Sequence, residues 1–550
     1  MSSPALHLRA PLLWLVVPLM GGFTAARFWP PPAGGSLPVA VIAAGAGLVS
    51  LWLAGKTGPW AHFGWSLSLG FGVALGGFAL LHFRHPHLHA PIDRPPREIT
   101  VTIQVEQVFP GSPQARSLTG YGEIVRTGEH DRDLAGCRVY FSAIRKISRP
   151  PQRSGRYVLR GVLEPLPRES GTASFNDYLD NLGIRQKLTR AQILREEAPP
   201  GWFPRFCNRA QKKLKEILDH GLEHHPAVDS LYVAMLLGEK AVLSIDQQNA
   251  FMRSGTFHIF SISGLHVGVI AAALNAGLLM LRVPRRTAVA LSLGVLWLYV
   301  QVTGGGSPAI RSLVMITFLL ATRVFRLPGN GLAALAAAAL VTLLLDPLQL
   351  FSTGFQMSYA VVAALIVMGV PLAEKWLRAW QPFALLPKPA WRWYHTSVNG
   401  SGRYLLGACA ACWTAFLAST PSGIGYFQMI SPGSLLANLL IIPLSSLALV
   451  GGFLSLLCGL AGWLPLSALF NAAAAITIIV MDWLVQHGAG LPGVYFPARF
   501  PQAWMAPTAL IGLTSVMLAG LAGGWSRRFG GYWPPALCVA LILILSVKFG

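Results

Sequence analysis

The chain has 550 residues, 53% of them hydrophobic and only 12% charged, with a mean hydropathy of +0.51. That balance excludes an ordinary soluble globular domain and calls for several membrane spans. The formal net charge is +21, and outside residues 84–256 only Asp346, Glu374 and Asp482 are acidic, against eighteen Lys and Arg. A nearly acid-free membrane region suits an anionic passenger, and it equally suits many positively charged cytoplasmic loops.

In chain order, apolar runs near 11–28, 37–54 and 65–83 predict three spans in an amino-terminal unit, 1–83. The first follows a short basic start, as a signal peptide would. It lacks a convincing small-residue cleavage site and is read as a retained span. Residues 84–200 form a second unit. Ile99, Val101, Ile103 and Val105 alternate with Thr100, Thr102, Gln104 and Glu106, which is strand periodicity. Further strands are predicted at 117–126, 136–144, 156–164 and 184–193, with a short helix at 175–182 before the last. Five short strands fit a small barrel of the oligonucleotide-binding type, and the pattern also permits a small sandwich.

Arg145, Lys146, Arg149, Arg153, Arg156 and Arg160 cluster on and around one turn, with Tyr140, Phe141 and Tyr157 close by. A basic groove with aromatic platforms is what single-stranded nucleic acid requires. The plainer alternative is a solvated basic turn near anionic headgroups. Residues 201–256 are a linker unit, in which 203–220 reads as an amphipathic helix lying on the membrane surface.

From 257 to 550 the apolar runs resume near 257–281, 287–303, 308–325, 331–350, 352–372, 402–420, 433–460, 464–486, 505–524 and 533–547. With the first three they make on the order of 13 spans at ~20 residues each. Asn438 and Pro443 are expected to split one run into two half-helices. With the amino terminus in the cytoplasm, the loops bearing Arg9, Lys56, Arg282, Arg323, Lys375 and Arg527 all face inward, and residues 84–256 fall outside.

The most informative stretch is 257–270, where His258, Ser261, Ser263, Gly264, His266 and Gly268 crowd into an apolar run. Polar groups in hydrocarbon are costly unless they find partners or face a wet cavity. On an unbroken helix His258 and His266 lie near one face, while Ser263-Gly264 lets the helix break or another backbone approach. Arg311 follows Gly304-Gly305-Gly306-Ser307-Pro308, either as a phosphate contact or as the partner of an acid such as Asp346. Asp346 precedes Pro347 and reads first as a helix cap. Gln356, Ser358 and Asn438 are candidates for lining a passage or for hydrogen bonds between helices.

Residues 258–268, His-Ile-Phe-Ser-Ile-Ser-Gly-Leu-His-Val-Gly, resemble the signature of the ComEC family of competence proteins. Ser307-Pro308-Ala309-Ile310-Arg311-Ser312 resembles that family's Pro-x-x-Arg span. Asp346-Pro347 with Gly354-Phe355-Gln356-Met357-Ser358 resembles its Asp-Pro and Gly-Phe-Gln-x-Ser pair. Ala437-Asn438 through Pro443 resembles its Ala-Asn-x-x-x-x-Pro run. Phe175-Asn176-Asp177-Tyr178-Leu179 with Gly183-Ile184 resembles the end of its external domain.

The resemblance implies a polytopic α-helical membrane protein with an oligonucleotide-binding barrel after the first three spans. It implies a bacterial inner-membrane channel that imports single-stranded transforming DNA. The implied partners are an external DNA receptor, a cytoplasmic ATP-driven helicase and single-strand-binding proteins. Many members carry a carboxy-terminal metallo-β-lactamase-like domain. No His-x-His-x-Asp-His occurs in this sequence, so nuclease activity is expected to belong to a separate protein.

Other patterns weigh less. His82, His85, His87, His89 and Asp93 have partial metal-ligand spacing, but their position at the end of a span favours an interfacial polar collar. Gly55-Lys56-Thr57 follows a span rather than a strand, and Ser50 stands where a phosphate loop needs its first glycine. Cys409 and Cys412 read as small buried hydrophobes. Cys137 and Cys207 could pair, on sequence alone. No cofactor or metal is expected. The rival readings are a solute or anion permease, and an intramembrane hydrolase built on Ser261 or Ser263 with a histidine. The hydrolase lacks an evident acid to orient its base.

Overall fold

The computed structural model describes residues 11–32, 35–56, 58–89, 95–109, 117–144, 151–167, 175–223, 225–326, 329–526 and 530–549. Among the described residues three helices come first: α1 (Leu13–Phe28), α2 (Leu37–Ala54) and α3 (Pro59–Arg84). α1 crosses α3 closely, because a Cβ on Gly22 would stand only 1.9 Å from the Ala74 carbonyl oxygen. Any side chain at Gly22 would push the two helices apart.

The barrel follows as β1 (Arg97–Phe109), β2 (Ser117–Arg126), β3 (Arg138–Ile144), β4 (Arg156–Pro165), α4 (Phe175–Asn181) and β5 (Gln186–Ala198). It closes in the order β1-β2-β3-β5-β4, with β3 parallel to β5 and the other neighbours antiparallel. Alternation produces this closure. Ile99, Val101, Ile103, Val105, Ile124, Val139, Phe141, Leu159 and Leu188 all point inward and form one core. Gly122 lets β2 bend, since a Cβ there would lie 2.3 Å from the Gln104 carbonyl oxygen. The strands and the short helix fall where the alternation predicts, to within a few residues.

The remaining helices are α5 (Trp202–Asp219), α6 (Pro226–Leu237), α7 (Ile245–Arg253), α8 (Gly264–Met280), α9 (Arg285–Val302), α10 (Ser307–Val324), α11 (Gly331–Leu345) and α12 (Thr353–Ala364). A π-turn at Leu365–Gly369 carries α12 into α13 (Val370–Ala379). After these come α14 (Trp393–Ser422), α15 (Ser434–Leu460), α16 (Leu464–Ala489), α17 (Met505–Ala522) and α18 (Pro534–Ser546). Met429–Ile430, Phe496–Arg499 and Lys548–Phe549 join the ends of this region in a small three-stranded sheet.

Among the described residues seven helices are long and apolar enough to cross a membrane, so this is a multi-pass helical membrane protein. Several apolar runs fold as shorter helices, such as Gly264–Met280 and Gly331–Leu345. At 1.5 Å per residue these fall short of a ~30 Å hydrocarbon core.

Two local expectations are also corrected. The run at 433–460 is one continuous helix with Pro443 inside it. Beside the proline, the Ser445 and Ser446 hydroxyls donate to the Ile442 carbonyl at 2.8 Å, and such serines help a membrane helix tolerate the break. α5 is not a free surface helix. Ile217 and Leu218 enter the main helical core, and Phe203 stacks on Trp297 at 5.5 Å.

Candidate functional site

The stretch that holds the two histidines does not form one helix. Phe257–Phe260 makes a 3-10 turn, and Ser261 and Ser263 are extended. Ser263 is the reason: it takes the N-cap of α8, its hydroxyl accepting the Leu265 amide at 3.2 Å while its own amide donates to His266 Nδ1 at 3.3 Å. This is a capping box with histidine in the place of the usual Glu or Gln. The Ser261 amide donates to the His258 carbonyl at 3.1 Å. The break sends the two imidazoles apart. His266 is 1% exposed, whereas His258 is exposed.

Ser263 Oγ also lies 3.0 Å from His266 Nδ1, which is hydrogen-bond reach for a nucleophile and a base. The ring's other nitrogen, Nε2, is buried without a hydrogen-bond partner, and among the described residues no carboxylate orients it. The pair therefore lacks the orienting acid of a hydrolytic triad.

α8 meets α10 at its first turn. A Cβ on Gly264 would lie 3.2 Å from Ser312 Oγ and 3.6 Å from Arg311 Nη2, so Gly264 lets the guanidinium reach the helix end. Arg311 is 4% exposed. Its Nη1 donates to Ser358 Oγ on α12, its Nη2 lies 3.5 Å from Ser312 Oγ, and its Cζ sits 5.7 Å from the centre of the Tyr359 ring. Its Nε has no partner, and among the described residues no carboxylate pairs with it. The N-terminus of α8 adds positive potential at the same place. A cation held by hydroxyls and an aromatic face, without an anion, is an expensive thing to bury.

Asp346 is not that missing anion. It caps the next turn, accepting from the Leu348 amide at 3.2 Å and from Gln349 Nε2 at 3.1 Å, and lies 3.9 Å from His85 Nε2. Gln356 ties α12 to the π-turn after α14, accepting from the Tyr426 hydroxyl at 2.6 Å and donating to the Leu350 carbonyl at 3.1 Å. Asn438 Oδ1 on α15 is buried without a partner. A Cβ on Gly268 would meet nothing within 4 Å, so that face of α8 borders open space. His266 and Arg311 are both buried in this structure.

The basic cluster of the barrel divides. Arg145, Lys146 and Arg149 lie outside the described residues. Arg153 donates to the Gly304 carbonyl at 3.1 Å and so holds the barrel against the glycine turn that leads into α10. Arg156 and Arg160 are on the outer face of β4, where Arg160 pairs with Glu98 at 2.8 Å and Arg156 Nε reaches Gln104 at 3.4 Å. Tyr157 points the other way. It is 7% exposed in the barrel core, and its hydroxyl accepts the Gln152 amide at 3.0 Å. Its ring is not a stacking platform, a fact already carried by its strand phase with Leu159 and Leu163.

Sequence reasoning missed Lys240, which is deeply enclosed and lies 5.2 Å from the Phe257 ring. Of the aromatic residues expected beside the basic turn, Phe141 is fully buried in the barrel core, while Tyr140 lies in an outer cluster whose other members, Phe109, Tyr121, Phe175 and Tyr178, sequence reasoning missed. The outward phase of Tyr121 and Tyr140, which face each other across β2 and β3, was the signal for the latter. Among the described residues no group of three or more His, Cys, Asp or Glu could hold a metal, and all six cysteines are free.

The fold and site define a multi-pass membrane protein with an inserted closed barrel and a buried arginine where three helices meet. A family model described as Competence protein matches residues 235–522. That is more than half of the chain, which therefore belongs to the competence protein family of ComEC type. It is 32% identical over 142 residues to ComE operon protein 3 of Bacillus subtilis, covering 26% of this chain and 18% of that protein. It is 25% identical over 234 residues to Recombination protein 2 of Haemophilus influenzae, covering 41% of this chain and 28% of that protein. Each match thus spans less than a third of the relative's own length. No solved structure matches the chain.

Proposed function

We propose that this protein is the inner-membrane conduit through which single-stranded DNA enters a bacterial cytoplasm during natural competence. In this reading the amino terminus is cytoplasmic and residues 84–256 are external. The barrel receives the strand and passes it toward the glycine turn at 304–306. Membership of the competence family supports the uptake role. The observation that carries the conduit is Arg311, a buried guanidinium without a carboxylate, at the junction of α8, α10 and α12. A passing phosphodiester would supply the anion it lacks. The seam is closed here, so conduction requires these three helices to part, with His258 and the open face at Gly268 bordering the space above.

Each phosphate moved inward against a negative-inside potential costs about 2.3 kcal/mol per 100 mV. The strand therefore needs a driving force, and in this reading the conduit itself is passive. The strand is pulled by a cytoplasmic ATP-driven helicase and single-strand-binding proteins and is supplied by an external DNA receptor.

The test is uptake of labelled DNA into the cytoplasm of cells carrying Arg311→Met, with protein level and melting midpoint checked. Removing an uncompensated buried charge in favour of an apolar chain of similar length is neutral or stabilising. The expected result is a normal or raised midpoint with uptake reduced on the order of 100-fold, a loss of about 2.7 kcal/mol. Unchanged uptake in a folded variant rejects the conduit role of Arg311.

A further inference from the structure

α13 and α14 do not stop where their apolar runs stop. The apolar run of α14 begins near 402, yet the helix starts at Trp393. The nine residues between, among them His395, Thr396, Ser397, Asn399 and Ser401, carry it about 13 Å further. Headgroups on one side of a bilayer are only about 5–7 Å deep. On α13 the last turns hold Glu374, Lys375 and Arg378. The two helices therefore stand out of the membrane as a hairpin, joined by residues 380–392.

The connecting loop is built, not slack. A Cβ on Gly402 would stand 2.3 Å from the Trp380 ring, so the missing side chain lets that indole lie against α14. Phe383 packs edge-on to Trp391 at 5.8 Å and to His395 at 4.6 Å. Trp391 Nε1 donates to the Leu386 carbonyl at 3.2 Å, and the Arg392 amide donates to His395 Nδ1 at 3.0 Å. These contacts fix the loop and leave other side chains in water. Trp393 is 78% exposed, with the exposed Tyr394 ring 6.0 Å away. Lys388, Arg392 and Arg403 are exposed on the same hairpin.

Charge here is one-sided. From 371 to 404 there are five Lys and Arg and a single acid, Glu374, which Arg378 takes at 3.2 Å. Topology by itself asks only for basic residues next to a span. Arg282, Arg285 and Arg286 meet that need around the four-residue turn between α8 and α9. A projecting, self-packed hairpin that presents an indole and a phenol goes further. Trp393 stands clear of the headgroups, so it is not an interfacial anchor.

We propose that the α13–α14 hairpin is a binding site for single-stranded nucleic acid, with Trp393 and Tyr394 stacking on bases and Lys388 and Arg392 holding phosphates. Unpaired bases offer the π-faces and the backbone offers the charge that this surface lacks. A duplex hides its bases, and a lipid headgroup has none. In the topology proposed above the hairpin is cytoplasmic and meets the strand as it leaves the membrane; that role, though not the binding itself, rests on the conduit reading.

The experiment uses purified full-length protein in a maltoside detergent and an oligothymidylate carrying 5-iodouracil, which on irradiation couples to aromatic side chains stacked on it. Cross-linked peptides are then mapped. Saturable label on the Trp393–Tyr394 peptide is expected. Lys388→Gln with Arg392→Gln, both at exposed side chains, should raise the half-saturation concentration at that peptide about tenfold and flatten its log–log salt dependence by about 1.4. Trp393→Leu, read at Tyr394, should raise it about tenfold through the loss of one stacked base. Melting midpoints check that the variants fold. Absence of label between 380 and 404, whether or not the barrel is labelled, overturns the proposal and leaves the hairpin to a protein partner. Half-saturation within twofold of wild type in both folded variants overturns it as well. Uptake by Arg311→Met decides the conduit separately, since binding in detergent needs no passage across a membrane.

Discussion

The barrel and the helical region treat arginine in opposite ways. On the barrel, charge is met by charge: Arg160 by Glu98, Arg138 by Glu106, Arg126 by Glu197 and Arg97 by Asp131. Most of these pairs are partly exposed, where a salt bridge contributes little and removing it costs little. In the helical region Arg311 is buried with hydroxyls and a ring for company. The barrel's arginines are explained by solubility and docking. The helical one has no such explanation, and for that reason it points to function.

The comparison holds only if the barrel is kept together by its core and not by its ion pairs. Phe141 is fully buried there, with Ile103, Ile124 and Leu159 around it. Phe141→Ala should therefore lower the opening free energy of the barrel strands by about 3–5 kcal/mol. Amide hydrogen exchange of the full-length protein reads this directly, and a change below 1 kcal/mol would show that the core is not what closes the barrel.

The contact between α3 and the barrel should respond to pH. His85 titrates near 4 in the folded protein, against an ordinary value of 6.5, because burial and Arg138 oppose its charge. Between those values the unfolded chain binds the extra proton, so stability falls as pH drops from 6.5 toward 4 and flattens below. The full effect is about 3 kcal/mol, and His85→Gln should remove most of that slope from the barrel's thermal midpoint. An equally steep slope in the variant would place the titration elsewhere.

The smallest effect belongs to the surface pairs. Arg160→Gln should change the barrel's exchange protection by less than about 0.5 kcal/mol, and less still in high salt. A loss of several kcal/mol would erase the contrast between the two regions.

Much of the barrel was legible because strand periodicity is strict: one residue's phase fixes every other side chain on that strand. The same rule placed Tyr157 inside, with Leu159 and Leu163, although composition made it look like a platform. In the helical region apolar runs were legible and their breaks were not. Ser263 and Pro443 are both plausible breakers. One ends a helix because its hydroxyl and the His266 ring together satisfy the first turn. The other leaves α15 continuous, with Ser445 and Ser446 hydroxyls on the Ile442 carbonyl beside it. Which of the two happens depends on partners that lie across the chain, not along it.

By itself the sequence determined the class of protein, the inserted five-stranded barrel and the motifs that mark the competence family. These follow from hydropathy and from periodicities of two or of about twenty residues, which are properties of neighbours in the chain. Only the tertiary structure decided that Arg311 is without an acid, that Asp346 is a cap, and that Arg84, Arg138 and Arg185 converge on one cavity between α3 and the barrel. Electrostatic energy depends on distance and burial in space, and residues more than a hundred positions apart, such as Arg27 and Asp180, become neighbours only when the chain has folded.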